Sequence, residues 1–485
     1  MLGACTLASC EKFVETPLAA PDSIVASASA YGQPGVDYVA NELLVKFKSG
    51  TPAATKAAAL ANINGEVAER IPTNALHDGG TESLLRIKTP LAAMEALGRL
   101  KGSGIEYAEP NVLYKAQAGT AGTVYPKALS YPYYVAYDSY YVNTDNNTYI
   151  NSGQWGLYGA TSPNTSNRNP FGSGADVAWA NGHIGSSSVV VGIVDTGIQT
   201  DHPDLAGQVN NPAVTASTTY PNDVYGWNFI ADNNDVSDYG SKPYSRQHGT
   251  YMAGIIGAKP NVNPNITAPN ITAPSLVGMN WNVTLIAAKF MDAKGGTTAN
   301  AVKAINYLID LKQNRGVNIV AINCSWGSTL KSAALLAAVQ AANTANILIV
   351  ASAGNGDNAG NPVNNDVIPF YPACYESTNI ISVAAINPAG AMYQTSNFGA
   401  TSVDLGAPGA RIWTTVAGSS WNSYSGTSVA TAFVTGAAAL YAASLPASTI
   451  DPVAKIKGAI LTQTTRVPAL LGKCVTEGSV NASNF

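Results

Sequence analysis

A run of small residues, Ala432 to Ala443, follows directly on the polar, glycine-bearing turn Ser425-Gly426-Thr427-Ser428-Val429-Ala430-Thr431. A helical pattern with this little side-chain volume and no polar face reads as a buried helix, closed over by other elements. At 485 residues with 46% hydrophobic content, the chain is long enough to build that core and more than one domain. The turn puts the hydroxyl of Ser428 in the first turn of the helix. Unpaired backbone N–H groups and the positive end of the helix dipole favour developing negative charge there, so the position suits a nucleophile.

A serine needs a base to act as a nucleophile. Only four histidines exist, His77, His183, His202 and His248. His248 opens Gln247-His248-Gly249-Thr250-Tyr251-Met252-Ala253-Gly254, again a polar residue at the head of a small-residue helix. For an acid, Val189 to Val194 reads as a continuous apolar strand ending on Asp195-Thr196-Gly197. Open α/β sheets place functional groups at the carboxyl ends of such strands. Taken singly, each has a plainer reading: a strand-end turn, a packed histidine, a capping serine.

Together, Asp195-Thr196-Gly197, His248-Gly249-Thr250 and Gly426-Thr427-Ser428 resemble the three motifs of the subtilisin-like serine peptidases, in that family's order. The resemblance extends through Ile198 to Leu205, and through Ser352-Ala353-Gly354-Asn355, which is similar to the family's oxyanion-hole segment. Four segments in family order make a specific pattern where any one would be weak. The fold implied is a doubly wound, mostly parallel α/β sheet with helices on both faces.

The roles implied are Asp195, His248 and Ser428 as the catalytic triad, with the Asn355 amide and the Ser428 N–H as oxyanion donors. Gly295-Gly296-Thr297 and Ser325-Trp326-Gly327 are expected to flank an extended peptide substrate, with Ser352, Ala353 and Gly354 beside it. Trp326 is bulky where the family often has an aliphatic residue, so a reshaped subsite away from the cut bond is expected. Tyr251, Val429 and the pair Ala432-Phe433 also depart from common family residues, and none of them removes a reacting group. No cofactor is implied for the chemistry. A structural calcium ion is allowed, with Asp204 as its candidate ligand because a carboxylate suits that hard cation; a structural turn is the alternative.

The alternation before this region reads as strand, helix, strand, strand, helix, strand: Glu42–Lys48, Pro52–Asn62, Gly65–Arg70, Ser83–Lys88, Leu91–Leu100 and Ile105–Pro110. This is a split βαβ, ferredoxin-like arrangement. Its position, and its end in Tyr107-Ala108-Glu109-Pro110-Asn111, resemble the family's propeptide, which chaperones folding and inhibits the active site. The organisation expected is therefore residues 1–35 as export-signal remnant and linker, 36–117 as propeptide, 118–150 as a linker holding the maturation site, and 151–485 as the catalytic domain. Between His248 and the next strand, Asn265-Ile266-Thr267-Ala268-Pro269 is copied at once as Asn270 to Pro274, which reads as an exposed loop.

Charged residues make up 12% of the chain and the net charge is −4, which gives no footprint for nucleic acid and no polybasic membrane patch. No apolar run approaches the roughly eighteen residues of a spanning helix. The cysteines Cys5, Cys10, Cys324, Cys374 and Cys474 show no metal-ligand spacing. Leu7-Ala8-Ser9-Cys10 resembles a lipobox, which would put a lipid on Cys10 as the one membrane attachment; accidental residues at a terminus are the alternative. The sequence reading is a secreted or surface-anchored, monomeric serine endopeptidase made as a self-processing zymogen, its propeptide an intramolecular inhibitor. A narrow-specificity processing peptidase and a non-catalytic scaffold of the same fold stay open beside it.

Overall fold

The structure is a computed structural model, and it describes residues 32–73, 83–100, 104–116, 154–163, 168–213, 219–238, 247–260 and 276–485. Cys5 and Cys10, the 118–150 linker and the repeat at 265–274 lie outside the described residues.

The N-terminal unit comprises β1 (Tyr38–Phe47), α1 (Ala53–Ala61), β2 (Glu66–Ile71), β3 (Leu84–Lys88), α2 (Ala93–Arg99) and β4 (Ile105–Ala116). Its strands pair antiparallel in the order β2-β3-β1-β4, the split βαβ topology expected from the sequence. The last strand outruns that expectation. It does not stop at Pro110 but continues to Ala116, because its second half finds partners in the following unit.

The second unit begins with α3 (Ala175–Ala180), β5 (Gly185–Asp195), β6 (Gly226–Asn228), α4 (His248–Gly257) and β7 (Asn282–Lys289). The short strands β8 (Met291–Asp292) and β9 (Gly295–Thr297) lead into α5 (Thr298–Arg315), β10 (Ile319–Cys324), β11 (Trp326–Gly327), α6 (Ala333–Thr344) and β12 (Leu348–Ser352). Then come β13 (Ile380–Ile386), β14 (Leu405–Pro408), the hairpin β15 (Ile412–Val416) and β16 (Ser420–Tyr424), and α7 (Thr427–Ala442). The elements α8 (Pro452–Thr462), β17 (Thr465–Arg466) and β18 (Gly478–Ser479) close it. The main sheet runs β17-β18-β14-β13-β12-β10-β5-β7-β6 and is parallel except at β17.

Continuous apolar strands suit this sheet because both of its faces are covered. On β5, Val189, Val191 and Ile193 enter one core while Val190 and Val194 enter the other; Leu348 and Val350 split from Ile349 and Ala351 on β12 in the same way. The first core is built around α7, of which every residue from Thr427 to Leu440 is buried. Hydroxyls inside that helix are satisfied locally: Thr431 donates to the Thr427 carbonyl at 2.7 Å and Thr435 to the Thr431 carbonyl at 3.0 Å.

The second core joins the two units, since residues of β1, β3 and α2 share it with α5 and α6. Polar contacts fix that docking. Glu109 accepts hydrogen bonds from the Ser332 hydroxyl at 2.6 Å and from the Ala333 and Ala334 N–H groups at 2.7 and 3.3 Å, so it caps α6 from outside. Asn111 accepts from the Ala299 N–H at 3.1 Å at the start of α5. Burial pushes the Glu109 carboxyl up to about 7, outweighing the donors that favour its charge. A carboxyl raised on docking binds a proton as it docks, so its contribution is fully present below the ordinary carboxyl range and is lost as pH rises through about 7.

Leaving buried donors of this kind without their acceptor costs about 1–3 kcal/mol each. Glu109→Ala in the full chain is expected to speed amide hydrogen exchange at Ala333 and Ala334 by about 10- to 100-fold. Glu109→Gln, which keeps an acceptor and cannot titrate, should retain much of the protection and lose its pH dependence. Unchanged exchange in the alanine variant would show that the cap does not hold the two units together.

Candidate active site

The sheet delivers the site residues at its carboxyl edge. Asp195 is the last residue of β5, His248 the first of α4, Ser428 lies in the first turn of α7, and Asn355 sits just past β12. Asp195, His248 and Ser428 are all buried. The His248 Nδ1–H faces both carboxylate oxygens of Asp195, at 3.0 and 2.9 Å. Because the carboxylate only accepts, the ring proton is held on Nδ1 and Nε2 is left as the acceptor. That Nε2 is buried without a hydrogen-bond partner among the described residues. The Ser428 hydroxyl donates to the Ser325 carbonyl at 3.1 Å.

Two glycines permit the close approaches. A Cβ on Gly249 would stand 2.1 Å from the Gly197 carbonyl oxygen, so only glycine lets α4 lie against the turn after Asp195. Gly426, at φ +142°, stands where a Cβ would come within 2.8 Å of the Asn355 Nδ2. The Asn355 amide is oriented by Thr427, whose N–H and hydroxyl both donate to its Oδ1, at 2.8 and 2.9 Å. Its Nδ2 is thereby turned to the side where Gly426 leads into Ser428.

The cleft beside these residues holds a strand. The end of β4 pairs antiparallel with β9 on one side, Leu113 opposite Thr297 and Tyr114 opposite Gly296. On the other side it pairs with β11, Lys115 opposite Gly327 and Ala116 opposite Trp326. The chain's own N-terminal unit therefore lies where an extended peptide was expected, between the two segments named from the sequence. Ser352 and Ala353 are buried, and the carbonyls of Ala353 and Gly354 accept from the Asn365 amide at 2.8 Å and the Asn397 N–H at 2.9 Å. Trp326 is fully buried; its indole N–H donates to the Val194 carbonyl at 2.7 Å, and its ring meets Tyr114 edge-on at 5.1 Å and Phe290 at 4.7 Å.

Asp204 stands apart from this group. Its Oδ2 accepts the Trp421 indole N–H at 2.6 Å and the Leu276 N–H at 3.0 Å. Among the described residues no cluster of three His, Cys, Asp or Glu side chains is placed to hold a metal. N–H donors aimed at the carboxylate neutralise it without a cation, so these surroundings do not fit the calcium ligand expected from the sequence and suit the structural-turn alternative. Sequence reasoning also missed Asp238, which contacts the start of α4 and carried no motif because residues 239–247 separate it from His248. Among the described residues no helix is long and apolar enough to cross a membrane.

An open parallel sheet with a carboxylate, an imidazole and a serine gathered at its carboxyl edge defines a subtilisin-like fold. The chain belongs to the subtilase family, whose sequence model matches residues 186–480. The model of the fervidolysin N-terminal prodomain matches residues 26–111. A "Thermophilic serine proteinase" of Bacillus sp. (strain AK1) is 30% identical over 406 residues, covering 84% of this chain and 78% of the relative. "Subtilisin-like protease 2" of Plasmodium falciparum (isolate 3D7) is 32% identical over 269 residues, 54% of this chain and 18% of that protein. Among solved structures, fervidolysin from Fervidobacterium pennivorans, described as a keratinolytic enzyme related to subtilisin, matches with a TM-score of 0.61 at 20% identity. That match covers 93% of this chain and 61% of the fervidolysin chain, so this chain spans less than two thirds of that neighbour.

Proposed function

We propose that this protein is a secreted serine endopeptidase made as a zymogen that cuts itself. Ser428 attacks the peptide carbonyl, and His248 takes its proton at Nε2 and returns it to the leaving amine. Asp195 holds the ring and stabilises the imidazolium without itself being protonated. For the attack, the Ser428 hydroxyl turns from the Ser325 carbonyl to Nε2, a hydrogen bond of the kind that tightens when substrate binds. The oxyanion is received by the Asn355 Nδ2–H and the Ser428 backbone N–H, aided by the start of α7.

The observation that carries the reading is the strand between β9 and β11. Its register sets Lys115 opposite Gly327 and Ala116 opposite Trp326, and the next residue of the cleft segment is Ser325, whose carbonyl touches the Ser428 hydroxyl. Counting one residue on from Ala116, the cleavage site proposed is the bond after Gln117. Intact-mass analysis of wild type beside Ser428→Ala tests this. The expected result is loss of residues 1–117 from wild type and a full-length mutant. A mutant that is processed like wild type counts against self-cleavage. A wild type that hydrolyses no peptide and is not labelled at Ser428 by an active-site phosphonate favours the scaffold instead.

With the cut after Gln117, Tyr114 is the fourth residue before the bond, and its ring rests on Trp326. Trp326→Leu removes that aromatic wall, so its cleavage profile on a peptide library is expected to lose an aromatic preference at the fourth position. Edge-on aromatic pairs contribute about 0.5–1.5 kcal/mol beyond area burial, which sets the change at roughly 2- to 13-fold in kcat/KM. Identical profiles for the two enzymes would sink the assignment.

A further inference from the structure

We propose that Asp238 is a positioning residue, holding the start of α4 against the turn after Asp195 and so fixing the His248 ring on Asp195. This rests on the catalytic reading above. It begins from an unfilled need: α4 opens at His248, and Gln247 before it supplies no side-chain cap. The first N–H groups of a helix have no intrahelical acceptor. Here they are met from outside, the Gly249 N–H by the Thr196 hydroxyl oxygen at 2.9 Å and the Thr250 N–H by Asp238 Oδ2 at 3.1 Å.

The same carboxylate oxygen takes the Thr250 hydroxyl proton at 3.0 Å. A carboxylate only accepts, so it forces that hydroxyl to donate and leaves the hydroxyl oxygen to receive the Gln199 N–H, at 2.9 Å. One oxygen of Asp238 therefore ties the helix that carries the base to the turn that follows the acid. The tie is short and buried, since Asp238 is 5% exposed and Gly249 packs against Gly197 with no room for a Cβ. Nothing else in the catalytic reading uses Asp238.

The charged groups facing Asp238 are Lys289 at the end of β7, whose ammonium donates to the Ser237 carbonyl at 2.6 Å, and Asp195 itself; the Thr196 side chain faces it as well. Burial outweighs Lys289 and pushes the Asp238 carboxyl up to about 7, while its Oδ1 has no hydrogen-bond partner among the described residues. Protonation on the acid side removes both the charge and part of its accepting capacity.

The test compares wild type with Asp238→Ala and Asp238→Asn on one peptide substrate across pH. A displacement of about 1 Å at a catalytic group costs on the order of 10²-fold, so Asp238→Ala is expected to lower kcat by about that factor with KM within about twofold. Asp238→Asn keeps an oxygen for the two Thr250 donors and is expected to recover most of kcat. In that variant the acid limb of kcat/KM should move to lower pH, because no carboxylate with a raised pKa remains to lose its accepting charge on the acid side. A purely structural role would lower the melting temperature and leave the acid limb where it is. A folded Asp238→Ala enzyme with wild-type kcat overturns the inference, as does a wild-type acid limb in Asp238→Asn if the alanine variant does not fold. Hydrolysis that survives Ser428→Ala would overturn the catalytic reading together with this one, so the two failures are distinguishable.

Discussion

Ser428→Ala is expected to lower kcat on a peptide substrate by about 10⁶-fold, a size carried over from subtilisin itself, while the protein folds and melts as wild type does. The reason for the selective loss lies in the packing. Ser428 sits in the first turn of a helix whose every residue through Leu440 is buried, and its hydroxyl donates to the Ser325 carbonyl. Removing one such bond changes stability by about 0.5–1.5 kcal/mol, a small part of a domain this size. Removing the nucleophile leaves only the oxyanion donors and substrate binding, which by themselves retain about 10³- to 10⁴-fold over the uncatalysed reaction. Kinetics and melting curves compared with residues 1–117 removed from both proteins, in the variant by an added protease, check both halves. A variant retaining more than about 1% of wild-type kcat would show that another group attacks the carbonyl.

The second large effect is expected at Asn355. Asn355→Ala removes the amide that Thr427 orients and should lower kcat by about 10²- to 10³-fold, equivalent to about 2.7–4 kcal/mol, with KM little changed. Here too the magnitude comes from subtilisin. What this structure adds is the orientation: with Oδ1 held by the Thr427 N–H and hydroxyl, the donor end of the amide is the one presented toward Ser428. Asn355→Asp therefore gives a sharper contrast than alanine. A carboxylate keeps the acceptor for Thr427 but puts negative charge where the oxyanion forms, so its kcat should fall below that of the alanine variant. Steady-state kinetics of both variants on one substrate would decide it, and equal rates would remove Asn355 from the oxyanion site.

Prodomain docking uses the same physics as these sites. Glu109 and Asn111 accept from the first turns of α6 and α5, and Asp238 with Thr196 accepts from the first turn of α4. In each case a helix begins without enough local acceptors, and a residue distant in sequence completes it. In the function proposed above, helix starts thus serve three ends: they hold the prodomain, they position the base, and at α7 they receive developing charge.

The local pattern was sufficient wherever a residue's environment depends on its neighbours in sequence. The strand-helix-strand-strand-helix-strand order of the N-terminal unit is found as its pattern placed it, and the small residues of α7 announced a helix buried on all sides. Asp195, His248, Ser428 and Asn355 were legible because each lies in a short motif fixed by a tight turn or a helix start. Tertiary structure alone decided the rest. The length of β4 depends on edge strands about 180 to 210 positions later in the chain, which no local propensity encodes. The surroundings of Asp204 depend on Trp421, and the place of Asp238 on Thr250 and Thr196, contacts made only when the sheet has brought β5, α4 and the β15–β16 hairpin together. Sequence determines which residues have reactive or capping chemistry; the fold determines which donor meets which acceptor, because hydrogen bonds are satisfied in space and not along the chain.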